Sequence, residues 1–152
     1  MRQILAGMAV LLALMGCADA PAPAASQTAV SDDSVIGQLN GIRAQAGQAA
    51  LSRNAQLNAA ALVHARDMAA NSFMGHTGTD GSDLRKRVER AGYGWCTLSE
   101  NVSRGYSTNA RAIEAWRVSP GHYANLIKND AREFGMAEVN GFRVMVLAAR
   151  RC

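Results

Sequence analysis

From residue 31 onward the apolar positions recur first at helical and finally at strand spacing. Val35, Ile36, Leu39, Ile42 and Ala46 share one face of a helix predicted over 31–46, with Ser31 as cap, Asp32 and Asp33 at its positive end and Gly47 as its stop. A second helix is predicted over 54–70 with the stripe Leu57, Ala61, Ala65 and Met68. Its alanines favour helix and leave a thin side-chain layer, so a neighbouring element can approach closely. Residues 77–81, Thr-Gly-Thr-Asp-Gly, read as a loop; Ser82 then caps a short helix through Ala91, ended by Gly92. A helix over 109–118 puts Ile113 and Trp116 on one face. Pro120 stops it and suits the first turn of another, capped by Ser119, with His122 in that turn. The period then changes to strands over 134–139 and 142–149 around Asn140-Gly141, the strongest short hairpin signal. Helices followed by a terminal antiparallel hairpin predict an α+β fold.

The chain before this domain is of another kind. Met1-Arg2-Gln3 is a short positive start, and the apolar run from Ile4 to Met15 has the length of a secretory signal core rather than a bilayer span. Leu14-Met15-Gly16-Cys17 resembles a bacterial lipobox, in which cleavage leaves a lipidated cysteine at the new N-terminus. Residues 1–16 are thus read as a lipoprotein signal peptide, and 17–31, with Pro21, Pro23 and little to bury, as a lipid-anchored flexible linker. The remainder, 32–152, is one domain with one core. Ala18 after the cysteine fits outer-membrane sorting by the enteric rule, so the expected place is the bacterial cell envelope, at the outer membrane facing the periplasm or at the cell surface.

Assigning Cys17 to lipid leaves Cys96 and Cys152 as the remaining pair of the three cysteines, and an oxidising compartment predicts a disulfide between them. The chain-entropy estimate for that loop is about 4 kcal/mol, an upper value. The basic excess is modest, 16 Lys and Arg against 12 Asp and Glu. Arg85, Lys86, Arg87 and Arg90 cluster on the short helix, but Asp83 and Glu89 interrupt the run, so it reads as a solvated face. Nucleic acid is not an expected partner of an exported chain; the membrane, through Cys17, is, together with a lipid, glycan or protein partner.

Candidate chemistry is scattered: His76, Glu100 with Asn101, and His122 within the run from Trp116 to Leu126. Two imidazoles and a carboxylate, assembled by the fold, would suit a divalent metal or acid/base work. The ordered set Leu39-Asn40-x-x-Arg43, Leu57-x-x-x-Ala61-x-x-His64-Ala65-x-x-Met68, His76, Ser99-Glu100-Asn101-Val102, Trp116-x-x-Ser119-Pro120-x-His122 and the closing hairpin resembles the CAP superfamily of cysteine-rich secretory proteins, antigen 5 and pathogenesis-related class 1 proteins, in its short bacterial branch. The resemblance covers nearly all of 31–152.

It implies a three-layer α-β-α sandwich with a large cleft whose floor, in many members, holds two histidines and two glutamates. His76 and His122 match the histidines and Glu100 the glutamate of the Glu-Asn motif. The second glutamate, three residues after the tryptophan, is Ser119 here, as is usual in the bacterial branch. Two readings of the cleft are open: zinc held by His76 and His122 with Glu100 or water, or a metal-free lock in which Glu100 accepts hydrogen bonds from the imidazoles and backbone amides. His64, on the apolar stripe, is expected to be a hydrogen-bonded core residue, and Trp116 to be core. Neither Ser99 nor Ser119 sits in a nucleophile-elbow pattern.

Functionally, the leading expectation is a non-enzymatic binding module for a small apolar ligand or an envelope or extracellular partner, through a cleft of His76, Glu100, Ser119 and His122. The alternatives are a metal-dependent hydrolase using His76, His122 and Glu100, and a passive structural envelope protein. The folded, unreduced chain should show no free thiol at Cys96 or Cys152; two reactive thiols on denaturation without reductant would exclude the bridge.

Overall fold

A computed structural model describes residues 33–150. The elements are α1 (Asp33–Gln45), β1 (Ser52–Arg53), α2 (Ala55–Asn71), α3 (Leu84–Arg90), β2 (Thr97–Arg104), α4 (Asn109–Val118), α5 (Pro120–Leu126), β3 (Glu133–Val139) and β4 (Phe142–Ala149). The four strands form one sheet in the order β1-β3-β4-β2, antiparallel except for the short β1–β3 pair. Helices cover both faces, giving the three-layer α+β arrangement expected from the sequence.

All eight residues of β4 are buried, and after Arg143 its apolar run over 144–149 is continuous rather than alternating. Its side chains still divide by parity. Val144, Val146 and Ala148 meet Leu57, Ala61, Ala65 and Met68 of α2 and Val88 of α3, whereas Met145 and Leu147 meet Val35, Leu39 and Ile42 of α1, Ile113 and Trp116 of α4 and Leu126 of α5. The α2 stripe is as expected, and the thin alanine layer has its consequence at Gly135 of β3. A Cβ there would lie 2.2 Å from the Leu57 carbonyl carbon and the Asn58 nitrogen, so helix and strand backbones touch where only glycine fits.

Most local signals act as read. Asn54 caps α2 by accepting from the Gln56 and Leu57 amides. Gly47 and Gly92 turn the chain at positive φ after α1 and near the end of α3, and Asn140-Gly141, at φ 50° and 84°, forms the hairpin turn between β3 and β4. The expected cap Ser31 lies outside the described residues.

Three local readings are corrected. The cap of α3 is Asp83, which accepts from the Lys86 amide, and not Ser82, which is buried. Ser119 occupies the N-cap position of α5 but makes no side-chain cap bond; its hydroxyl lies 2.9 Å from His122 Nδ1. Strands β1 and β2 were not anticipated, so the sheet is not only terminal. β2 has polar residues on both faces, Ser99, Asn101 and Ser103 on one and Glu100 on the other, which erases the period of two.

Arg43 is fully buried, and among the described residues no carboxylate pairs with it. Its guanidinium donates to the carbonyls of Ala49, Leu126, Lys128 and Ala131, joining the end of α1 to the chain that leaves α5. No helix among the described residues is long and apolar enough to cross a membrane.

Two substitutions test this packing by denaturant unfolding. Gly135→Ala should cost about 3 kcal/mol or more, because backbone rather than a movable side chain blocks the methyl. Arg43→Met should cost about 3 kcal/mol by leaving several buried carbonyls without donors.

Candidate functional site

β2 lies at the edge of the sheet, and this decides how the site is built. Its unpaired side is covered by side chains: Trp116 Nε1 donates to the Val102 carbonyl and Asn125 Nδ2 to the Glu100 carbonyl, both at 3.1 Å. Consecutive residues of a strand face opposite ways, so Glu100 points toward α3 and Asn101 toward α5.

On the α3 side, Glu100 is 3% exposed at its side chain and both its oxygens are engaged. Oε1 accepts from His76 Nδ1 at 2.8 Å, and Oε2 accepts from Arg87 Nη2 at 2.7 Å. Because a carboxylate only accepts, the His76 nitrogen facing it carries the hydrogen. Arg87 is as deeply buried as Glu100, and its Nη1 also donates to the carbonyls of Ser82 and His76. The same guanidinium therefore neutralises the carboxylate and anchors the 75–83 loop that carries His76. On the α5 side, Asn101 Nδ2 donates to the His122 carbonyl at 3.1 Å and Asn101 Oδ1 accepts from Asn125 Nδ2 at 2.8 Å. His122 Nδ1 meets Ser119 Oγ.

The fold thus makes two pairs from the four expected cleft residues, His76 with Glu100 and Ser119 with His122, linked through Asn101 and Asn125. Zinc, if held here, would take Nε2 of His76 and His122, because Glu100 and Ser119 engage their Nδ1 atoms. Among the described residues no three His, Cys, Asp or Glu side chains converge to hold a metal.

His64 is a core residue as expected. It is fully buried on α2, with Nε2 2.7 Å from the Gly75 carbonyl and its ring edge-on to Phe73. Trp116 is likewise core. The solvated-face reading of the basic cluster holds for Arg85 and Arg90, which pair with Asp83 and Asp80 at the surface, but fails for Arg87. The signal for Arg87 was its spacing: with Leu84 and Val88 it forms an i, i+3, i+4 face, and the surrounding charges masked it.

The pKa values of His76 and His64 are shifted in opposite directions. The hydrogen bond to Glu100 raises the His76 pKa against partial burial; the Glu100 charge adds to the rise and the Arg87 charge opposes it. Burial lowers that of His64, outweighing its bond to Gly75 and the pull of Glu100.

The sequence profile of the cysteine-rich secretory protein family, CAP, matches residues 36–143. The chain belongs to this family. A relative is the uncharacterized membrane protein YlbC of Bacillus subtilis, 26% identical over 106 residues, which are 70% of this chain and 31% of that protein. The chain thus spans about a third of that relative's length. Among solved structures, an extracellular SCP-domain protein of Bacillus anthracis superposes with a TM-score of 0.73 at 23% identity, over 76% of this chain and 39% of that one. An outer surface protein of Borrelia burgdorferi gives 0.73 at 19%, over 84% of this chain and all of its own. These likenesses establish the CAP fold, and the three-layer architecture above is its expression here.

Two measurements probe the CAP site. Arg87→Met should destabilise the chain by about 3–5 kcal/mol by stranding a buried carboxylate, and Arg87→Met with Glu100→Met together should cost less than the sum of the single changes. The raised pKa makes His76 stabilise the fold fully below its unfolded value of about 6.5, and this contribution disappears as pH rises through the folded value. The stability lost on His76→Ala should therefore be larger at pH 5.5 than at pH 8.5, with His64 present on both sides of the comparison.

Proposed function

We propose that this CAP-family chain is a non-enzymatic binding module of the bacterial cell envelope, lipid-anchored at Cys17, that takes a small apolar ligand or an envelope or extracellular partner at its cleft. The observation that carries the reading is the commitment of Glu100: with one oxygen on His76 and the other on Arg87, the carboxylate locks two layers together. A general base needs an oxygen facing a substrate proton. The names of the relatives, a membrane protein, an extracellular protein and an outer surface protein, support a place at the cell surface. Cys17 and Cys152 lie outside the described residues. The Cys96 amide donates to the Ala149 carbonyl at 2.8 Å, setting Cys96 beside the end of β4, which supports a bridge to Cys152.

Glu100→Gln discriminates between the readings. On the binding reading it lowers stability and leaves the chain without turnover before and after substitution; on the hydrolase reading, turnover is present and vanishes. Calorimetric zinc titration of the full chain beside His76→Ala/His122→Ala should show no one-to-one binding that depends on the two imidazoles. Tight binding lost in the double variant would instead favour a metal site, and the hydrolase reading with it.

A further inference from the structure

The end of the domain that carries the β3–β4 hairpin turn gathers several elements. β2 finishes there, with Arg104 opposite Phe142 in the register, and the Gly105 amide ties the next turn to the hairpin by donating to the Gly141 carbonyl at 3.1 Å. α4 starts beside the same turn: Arg143 Nε donates to Asn109 Oδ1, and Thr108 caps the helix. α1 starts at this end as well. Gln38 Nε2 donates to the Ala110 carbonyl at 3.1 Å, whereas Arg43, later in α1, bonds the carbonyls of Leu126, Lys128 and Ala131, just before β3 begins at the other end of the sheet. α1 therefore runs away from the hairpin turn, and its first residue, Asp33, is where the chain from Cys17 enters.

The cations here differ from those elsewhere. Arg43 and Arg87 are buried in hydrogen bonds, and Arg85, Arg90, Arg117, Lys128 and Arg150 each pair with a carboxylate. Arg104 and Arg111 are exposed and, among the described residues, form no side-chain hydrogen bond or ion pair. Arg104 lies over the Phe142 ring, 4.7 Å from its centroid, a contact that steadies the guanidinium and leaves its N–H groups uncommitted. The acids at this end are offset. Glu138 accepts from the Gly141 amide and stands opposite Arg143, and Asp33 lies at the positive end of α1. α4 also turns its positive end here, with no acidic residue in its first turn. Between the two arginines in the chain, Tyr106 is 39% exposed, an apolar ring with a polar tip.

Uncommitted guanidiniums suit phosphate oxygens, which they meet with paired N–H groups. An exposed tyrosine among them suits a boundary between water and an apolar medium. A layer of anionic phospholipid headgroups offers both; a soluble anion offers Tyr106 nothing. The tether decides which end meets that layer. Residues 18–32 span at most about 50 Å when fully extended, so a chain anchored at Cys17 keeps its domain at the bilayer. The end that bears the tether meets the surface at the highest effective concentration.

We infer that this end faces the membrane, with Arg104 and Arg111 on the phosphates of anionic phospholipids and Tyr106 at headgroup level. The inference rests on the lipid anchor at Cys17 proposed above. The other end of the sheet, where Cys96 meets Ala149, then points away from the bilayer.

Hydrogen exchange read by mass spectrometry tests this on the full chain, processed in a bacterial host and bound to vesicles of phosphatidylcholine or of an equal mixture of phosphatidylcholine and phosphatidylglycerol. The amides of 105–111 should exchange about fivefold more slowly, or slower still, on the anionic vesicles. Those of 84–90, on the rival basic helix, and of 95–98, at the far end, should not change. Arg104→Gln with Arg111→Gln should abolish the difference. Arg104→Lys with Arg111→Lys should keep most of it, which separates lost charge from lost structure. Flotation separates this inference from the reading beneath it: a chain that does not float with phosphatidylcholine vesicles overturns the anchor, and the orientation with it. A chain that floats but exchanges alike on both vesicles, is protected over 84–90 instead, or keeps its protection without the two arginines overturns the orientation alone.

Discussion

A guanidinium and a carboxylate 2.7 Å apart, each almost wholly removed from water, join α3 to β2, and most of what is distinctive in this chain depends on them. Bringing either ion alone into the interior would be prohibitive. Together they are tolerable because each also bonds within the fold: Glu100 also holds His76, and Arg87 also holds two loop carbonyls. The pair adds little net stability over an apolar replacement. What it fixes is geometry. A loop with few apolar anchors is tied to the sheet edge, and an exposed histidine is held in one tautomer beside a buried carboxylate.

Arg43 performs a similar task on the opposite layer with carbonyls instead of a carboxylate. The shared logic follows from an alanine-rich domain. Helix α2 approaches the sheet so closely that Gly135 is obligatory, and thin helices leave little apolar side chain to immobilise the segments between them. Arginine reaches further than leucine and bonds in a fixed fork, so it fastens loop carbonyls that apolar packing does not reach. The His122 segment is secured at its end by Arg43 through the Leu126 carbonyl, and the His76 segment by Arg87. The His76 and His122 segments are therefore positioned by two buried cations from different helices.

This explains which features were legible in the sequence. Helices α1, α2 and α4 and the β3–β4 hairpin follow from periodicity and turn residues, because their stabilising contacts are apolar and local spacing reports them. His64 was correctly read as core from its place seven residues after Leu57. β2 was not legible: an edge strand whose outer carbonyls are covered by Trp116 and Asn125 has no need of alternating hydrophobicity, and its motif could be found only by resemblance. Arg87 was hidden for a related reason. Its role depends on a carboxylate 13 residues away that faces it only once β2 has formed, and in the linear chain it is one cation among several. Ser119 fails as a cap because His122, three residues on, offers its hydroxyl a nearer partner, a competition that residue preferences do not weigh.

The 75–83 loop is held from three side chains. His64 holds it at the Gly75 carbonyl, Asp67 holds it at Thr79, and Arg87 holds it at the carbonyls of His76 and Ser82. Arg87 faces the Glu100 carboxylate with one nitrogen and the loop carbonyls with another, so the loop and the sheet edge share one rigid side chain. Protonation acts on the loop with opposite signs at its base. The His76 imidazolium strengthens the bond to Glu100, whereas a charge on His64 would be buried beside Arg87. A loop so anchored has little freedom to open as a lid.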